Sequence, residues 1–226
     1  METRVPSPPF NIFAYRIELM KRLILVRHGQ SEHHVRGLTG GWTDTPLTPF
    51  GVTQAEAAAD RCKDLVSQET SISLLSSDLL RASQTAERVA KRLGLACQLD
   101  PGLREINNGM AVGLTWQEAR KIELPETLPF EHWLPYPDGE SIFTMTERVY
   151  KAMDQIEQLC PSTAIVVSHG IAGVALIQWW LRLDAQSRKG ISFELDTASI
   201  TELCVNSRRE RTIVRLNETA HLSAIQ

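Results

Sequence analysis

Four side chains set the chemical question: Arg27 and His28, adjacent in Arg27-His28-Gly29, and Arg81 and His169 far downstream. Guanidinium groups keep their charge and match the oxygens of a phosphoryl group with paired donors. A neutral imidazole can attack phosphorus and carry it as a covalent adduct. A second imidazole can stabilise the equatorial oxygens of the group in transfer. A proton must still reach the leaving oxygen, so an acid is required. Glu105, in Leu103-Arg104-Glu105-Ile106-Asn107, is the best candidate, in an irregular loop after a strand-like stretch. Burial and a bound dianion would both keep that carboxyl protonated for the task. Singly, each residue has an ordinary reading as a core histidine, a solvated helix arginine or a surface carboxylate. Their joint position is what carries weight.

Residues 23–26 are an unbroken apolar run, a strand covered on both faces, and lead straight into Arg27-His28-Gly29. A helix opens at Thr48-Pro49 with a hydroxyl cap and proline in its first turn, and its apolar positions Val52, Ala55, Ala59, Cys62 and Leu65 recur at helical spacing. Residues 72–76 form a second strand, followed by a helix over 78–93 stopped by Gly94. That places Arg81 in a first turn, where backbone N–H groups and the helix dipole attract anions. Residues 100–140 are irregular, with one short helix near 115–122 and a stretch rich in prolines and aromatics over 125–137. A long helix covers 141–160 and is closed by Pro161. Residues 164–167 form a third strand running into Ser168-His169-Gly170, and a largely buried helix covers 171–183. Two β-branched runs, 198–205 and 212–216, complete the chain. This βαβα order predicts an α/β fold with a mostly parallel sheet. In such sheets ligands bind beyond the carboxyl ends of the strands, so both histidines and both arginines converge on one rim.

The chain of 226 residues is 42% hydrophobic and 23% charged, which excludes disorder as its main state and suits one domain, with or without an inserted cap. A net charge of −3 with no long basic run argues against nucleic acid or an anionic membrane as partner. Cys62, Cys97, Cys160 and Cys204 lie far apart with no Cys-x-x-Cys pair, as expected of reduced thiols in a cytoplasmic protein. The longest apolar stretch is broken by Gln178 and Arg182 and is too short and polar to span a bilayer. The first 19 residues hold three prolines and no continuous apolar region, so they do not read as a signal peptide. Residues 1–20 are set apart as an extension and 21–226 as one domain.

The motifs extend beyond these residues. Leu25-Val26-Arg27-His28-Gly29-Gln30-Ser31-Glu32 resembles the signature of the histidine phosphatase superfamily, the phosphoglycerate mutase-like fold. The match continues through Gly41-Trp42-Thr43-Asp44-Thr45-Pro46-Leu47-Thr48, Ser76-Ser77-Asp78-Leu79-Leu80-Arg81, Leu103-Arg104-Glu105-Ile106, Pro137-Asp138-Gly139-Glu140-Ser141 and Val167-Ser168-His169-Gly170. The resemblance implies a three-layer α/β sandwich with a mostly parallel central sheet, helices on both faces and a short cap, about 106–140, over the site. It implies His28 as the phosphorylated nucleophile and Glu105 as proton donor. Arg27, His34, Arg81, His169 and Gly170 match the phosphate pocket, and Gln30, Ser31, Trp42 and Trp133 are expected at the substrate. No metal and no cofactor are implied.

Three positions depart from the family. His34 stands where asparagine is usual, and its charge would add pH dependence. Gly40 replaces a common glutamine, widening the pocket, and Met110-Ala111-Val112 precede the Gly113-Leu114-Thr115 turn in place of Trp-Glu. Mutases of the family have a long basic insertion that closes over a bisphosphate. Here 31 residues separate Glu105 from Pro137, with Arg120, Lys121 and His132 the basic side chains among them and Trp116, Phe130, Trp133 and Tyr136 the aromatics. A phosphatase acting on a small-molecule phosphate monoester is the expectation. A phosphoglycerate mutase, a phosphatase of phosphotyrosyl proteins and a non-catalytic phospho-ligand binding domain are the alternatives, and monomer and homodimer stay open.

Overall fold

In the computed structural model, which describes residues 20–159 and 162–225, the sheet is built from β1 (Arg22–Arg27), β2 (Ile72–Ser76), β3 (Cys97–Leu99), β4 (Thr163–Ser168), β5 (Ile200–Val205) and β6 (Arg211–Glu218). The helices are α1 (Glu32–Val35), α2 (Pro49–Leu65), α3 (Leu80–Leu93), α4 (Trp116–Ala119), α5 (Ile142–Leu159), α6 (Gly170–Trp180) and α7 (Ala185–Arg188). The strands run in the order β3-β2-β4-β1-β5-β6, and β5 is the strand that runs against the other five.

The centre of the sheet explains the unbroken apolar runs. Leu23 and Leu25 of β1, with Ala164 and Val166 of β4, face a layer formed by α5 and α6. Ile24 and Val26, with Ile165 and Val167, face α2 and α3. Successive strand residues point to opposite faces, so a strand sandwiched between two helical layers has no face left for polar side chains. This is the three-layer α/β sandwich expected. Thr48 accepts the Gly51 N–H at 2.9 Å to cap α2, and Gly94 closes α3 in the left-handed conformation at φ 68°.

Several boundaries differ from the sequence reading. α3 begins at Leu80, because Asp78 spends its carboxylate on Arg104 instead of capping the helix. α6 ends at Trp180, and Arg182 turns the chain away with φ 55°. β3 is a three-residue edge strand that the polar sequence Cys97-Gln98-Leu99 does not announce. α4 has four residues, held by a reciprocal Thr115–Glu118 capping box. Of the expected extension over residues 1–20, Met20 is fully buried in the core beside β1 and so belongs to the domain, whereas residues 1–19, like Cys160 and Pro161, lie outside the described residues. Among the described residues no helix is long and apolar enough to cross a membrane.

Candidate active site

The parallel register brings three strand ends side by side. The His28 N–H donates to Ser168 O at 3.0 Å, and the Ser77 N–H donates to Val167 O at 3.0 Å. His28 is 2% exposed, with Nδ1 2.7 Å from Gly29 O and Nε2 receiving a hydrogen bond from Arg81 Nε at 3.1 Å. An arginine Nε can only donate, so Nε2 carries the lone pair and Nδ1 the proton, which it gives to Gly29 O. Burial first, then the charges of Arg81, His169 and Arg27, hold the His28 imidazole well below the usual histidine range. It is therefore neutral at neutral pH, with its free electron pair on Nε2.

The arginines are fixed by backbone carbonyls. Arg81 Nη1 donates to Thr43 O at 2.9 Å and Nη2 to Gly41 O at 2.7 Å. Gly41 has φ 57°, and a Cβ there would lie 2.3 Å from Asn108 Oδ1, so the loop that wraps Arg81 needs glycine. Burial lowers Arg81 to about 10, with the Glu105 carboxylate opposing it, and the side chain stays charged. Arg27 donates through Nη1 to Leu195 O. Its Nε, and Nδ1 of His169, are buried with no hydrogen-bond partner among the described residues. His169 Nε2 lies 2.8 Å from Ser77 Oγ, and its ring meets that of His28 edge-on at 5.1 Å. Burial, then Arg81 and Arg27, push the His169 imidazole well down too. Orphaned polar atoms are costly to bury, and Arg27 Nε and His169 Nδ1 belong to the residue before the nucleophile candidate and to the ring that meets it edge-on.

Glu105 is 8% exposed and is oriented from both ends. Its Oε1 accepts the N–H groups of Ile106 at 3.0 Å and Ala172 at 2.9 Å, and its Oε2 accepts that of Ile171 at 3.0 Å. Ile171 and Ala172 lie in the first turn of α6, whose N–H groups have no partner within the helix. The Glu105 carbonyl accepts from Trp42 Nε1 at 2.8 Å and Arg148 Nη2 at 3.1 Å. Arg148 also reaches Gly102 O and Arg104 O, and it pairs through Nε and Nη2 with Glu140 at 2.8 Å each. Arg104 in turn grips Asp78 through two bonds of 2.6 and 2.5 Å and lies over the Trp42 ring. Arg148 and Asn108 were not singled out in the sequence. Nothing local marks Arg148, whose partners include carbonyls more than forty residues away, or Asn108, which accepts the Trp42 N–H at 2.9 Å and donates to Thr39 Oγ1 at 2.9 Å, though Glu140 sits within the Pro-Asp-Gly-Glu-Ser motif.

His34 stacks on His28 at 5.7 Å, with its outer face exposed. Its Nδ1 accepts the Ser31 N–H at 3.1 Å, which leaves Nε2–H as a donor. Burial of its inner face, then Arg27 and Arg81, bring it to about 4, so the expected charge on His34 is absent near neutral pH. Its neighbour His33 is buried and is pushed to about 3 by burial, then by His34. Two adjoining cavities open on the site, of about 570 and 1000 Å³. His28, His34, Gly40, Arg81 and Trp133 line the smaller, Gly170 the larger, and Arg27 and Glu105 both. Gln30, Ser31 and Trp42 line neither. Gln30 accepts from Thr48 Oγ1 at 2.8 Å, Ser31 starts α1, and Trp42 holds the Glu105 backbone, so these three belong to the framework and do not reach the cavities. His169 lies behind His28, outside both linings. Among the described residues no group of three or more His, Cys, Asp or Glu side chains could hold a metal ion.

Known proteins resemble this chain over most of its length. The family model of the histidine phosphatase superfamily (branch 1) matches residues 23–219. A probable phosphoglycerate mutase GpmB of Escherichia fergusonii is 34% identical, over 75% of this chain and 79% of that protein. A putative phosphoserine phosphatase 2 of Hydrogenobacter thermophilus is 30% identical, over 89% of this chain and 98% of its own length. Among solved structures, that of a mycobacterial glucosyl-3-phosphoglycerate phosphatase with VO3 superposes with a TM-score of 0.70 at 26% identity, covering 88% of this chain and all (100%) of that one.

Proposed function

The chain belongs to the histidine phosphatase superfamily, and from that premise we propose that it hydrolyses small-molecule phosphate monoesters through a phosphohistidine on His28, without a metal. One observation carries the reading. A neutral imidazole is held with its Nε2 electron pair toward Arg81, while its Nδ1–H is anchored on a carbonyl. In the first step Nε2 forms a bond to phosphorus, the bond from phosphorus to the alcohol oxygen breaks, and Glu105 gives that oxygen a proton. Arg81 Nε then turns from the nitrogen to a phosphate oxygen. Gly29 O supports the positive charge that develops on the ring. In the second step water attacks phosphorus, Glu105 takes the proton back, and inorganic phosphate leaves with His28 restored.

Arg27, Arg81 and the Nε2–H of His34 supply donors to the phosphoryl oxygens in this scheme, and His169, edge-on to the His28 ring at 5.1 Å and outside both cavities, helps hold that ring. Residues 106–140 act as the cap. Names among the relatives include both mutases and phosphatases. The lining of the smaller cavity favours the phosphatase: its arginines are Arg27 and Arg81, both needed for one phosphate, while Arg120 and Lys121 are not in the lining. In the smaller cavity a bisphosphate would bring a second dianion with no further arginine or lysine in the lining to receive it.

The test is phosphate release from an aryl phosphate, phosphoserine and 3-phosphoglycerate in the presence of a chelator, for the wild type and His28→Ala. A parallel arm supplies 3-phosphoglycerate with a bisphosphate primer. Hydrolysis that survives the chelator and disappears in His28→Ala is expected, with no isomerisation of the phosphoglycerate. Loss to the chelator, retention in the alanine variant, or isomerisation outpacing release would each overturn the proposal.

A further inference from the structure

We propose that the larger cavity is a subsite for the organic body of the substrate and selects phosphomonoesters of long, apolar alcohols. This rests on the reading of the smaller cavity as the phosphoryl site. The two cavities share Arg27, Glu105, Phe130, Ile142 and Ile171, so they meet where the acid and one phosphate-binding candidate stand. The leaving oxygen must lie against the Glu105 carboxyl to receive its proton. Its alcohol carbon therefore begins at the partition, and a body too long for the smaller cavity has the larger one ahead of it.

That space is mixed: Thr146, Gln178 and Ser192 line it together with the charged Glu131, Arg188, Lys189 and Glu194, and Gln178 Nε2 already donates to Ile191 O at 2.9 Å, but its largest walls are apolar. Phe143 and Met145 from the start of α5, Val174 from α6, Leu128 from the cap segment, and Ile191 and Phe193 from the loop after α7 form its walls. The cations in its lining already have acidic partners. Arg188 stands 3.8 Å from Glu147 and over the Tyr150 ring, and Lys189 stands 3.7 Å from Glu131. Glu194 adds a further carboxylate, which disfavours an anionic body. Exposed apolar side chains collect at this mouth, with Leu128 87% and Phe130 53% exposed. Contiguous exposed apolar surface on a soluble domain marks a binding site more often than scattered single residues do. A volume of about 1000 Å³ is at the upper end for a small-molecule site, far more than a seryl or glyceryl body requires.

The experiment compares kcat/KM for ethyl, butyl, hexyl and octyl phosphate, and the affinity of the matching alkylphosphonates, which cannot be turned over. Wild-type protein, Val174→Trp and Ile191→Asp are measured. The first variant fills the cavity from α6 and the second makes a loop wall polar, and neither residue lines the smaller cavity. Each added methylene should raise wild-type kcat/KM and phosphonate affinity about two- to fourfold. Both variants should flatten that rise while phenyl phosphate hydrolysis stays within about twofold of wild type. A flat wild-type series, or a rise unchanged in both variants, overturns the subsite. A phosphonate series that rises and is flattened by the variants, in a protein that hydrolyses no ester, would uphold the subsite and overturn the phosphatase reading instead.

Discussion

The strand-end rim and the segment that covers it are built on opposite plans. On the rim, His28, Arg81 and His169 are nearly or fully buried: His28 is held by Gly29 O and Arg81, Arg81 by the Thr43 and Gly41 carbonyls, and His169 by Ser77 Oγ. In the cover, residues 106–140 contain short helical turns, and Trp116, Leu128 and Phe130 are each more than half exposed. The difference separates two tasks. A reacting constellation needs its rotamers fixed by packing and second contacts, whereas selection among substrate bodies needs only apolar surface of suitable shape. Substitutions on the rim should therefore cost turnover, and those in the cover should move KM.

The largest contrast is expected between Glu105→Gln and Trp133→Ala. Removing the acid should lower kcat about 10²- to 10⁴-fold on an alkyl phosphate and about tenfold or less on an aryl phosphate, whose leaving group needs little protonation. Equal losses on both would remove Glu105 from the role of acid. The Trp133 variant should raise KM a few-fold with kcat unchanged.

Next in size comes the core beneath the rim. Ile165, fully buried on the central β4, should cost about 2–5 kcal/mol of stability when truncated to alanine. Phe130→Ala in the cover should stay within about 0.5 kcal/mol. Denaturant midpoints decide this, and similar losses at both positions would erase the distinction.

Arg148→Met sharpens the comparison because it acts through the Glu105 loop without touching the cavities. A loss of about 10- to 100-fold in kcat with KM held is expected, larger for alkyl than for aryl esters, since the acid alone would be displaced. A uniform loss on both esters would indicate general damage to the fold.

The smallest effect concerns pH. His33 is buried and held at about 3, below the roughly 6.5 of an unfolded histidine. The unfolded chain then binds the proton first, so stability is complete above about pH 6.5 and declines as pH falls from there toward 3. His33→Gln should make that decline shallower by about 1 kcal/mol per pH unit between pH 6 and 4. An unchanged slope would show that His33 does not titrate as its burial implies.

Much of this division was legible in the sequence, and for a physical reason. The continuous apolar runs at 23–26 and 164–167 fit strands covered on both faces, and a reactive residue follows each within two positions. Arg81 was placed by the strand before it and the helix after it. What escaped notice was set by contacts distant in sequence. The aromatic and hydroxyl residues Trp42 and Ser31 were expected at the substrate, but Trp42 turns its N–H to the Glu105 carbonyl and Ser31 opens α1. Arg148 looked like any helix arginine until the 102–105 carbonyls folded against it. The larger cavity is assembled from α5, α6, the cover and the loop after α7, and no single stretch announces it.

The central claim is that Nε2 of His28, and not Nδ1, accepts the phosphoryl group. Rapid quenching of wild-type protein with an aryl phosphate under alkaline conditions, followed by digestion and peptide mass spectrometry with phosphohistidine isomer standards, reads this directly. An acid-labile adduct on His28 bearing phosphorus at Nε2 is expected. An adduct at Nδ1, on another side chain, or none while turnover proceeds would contradict it.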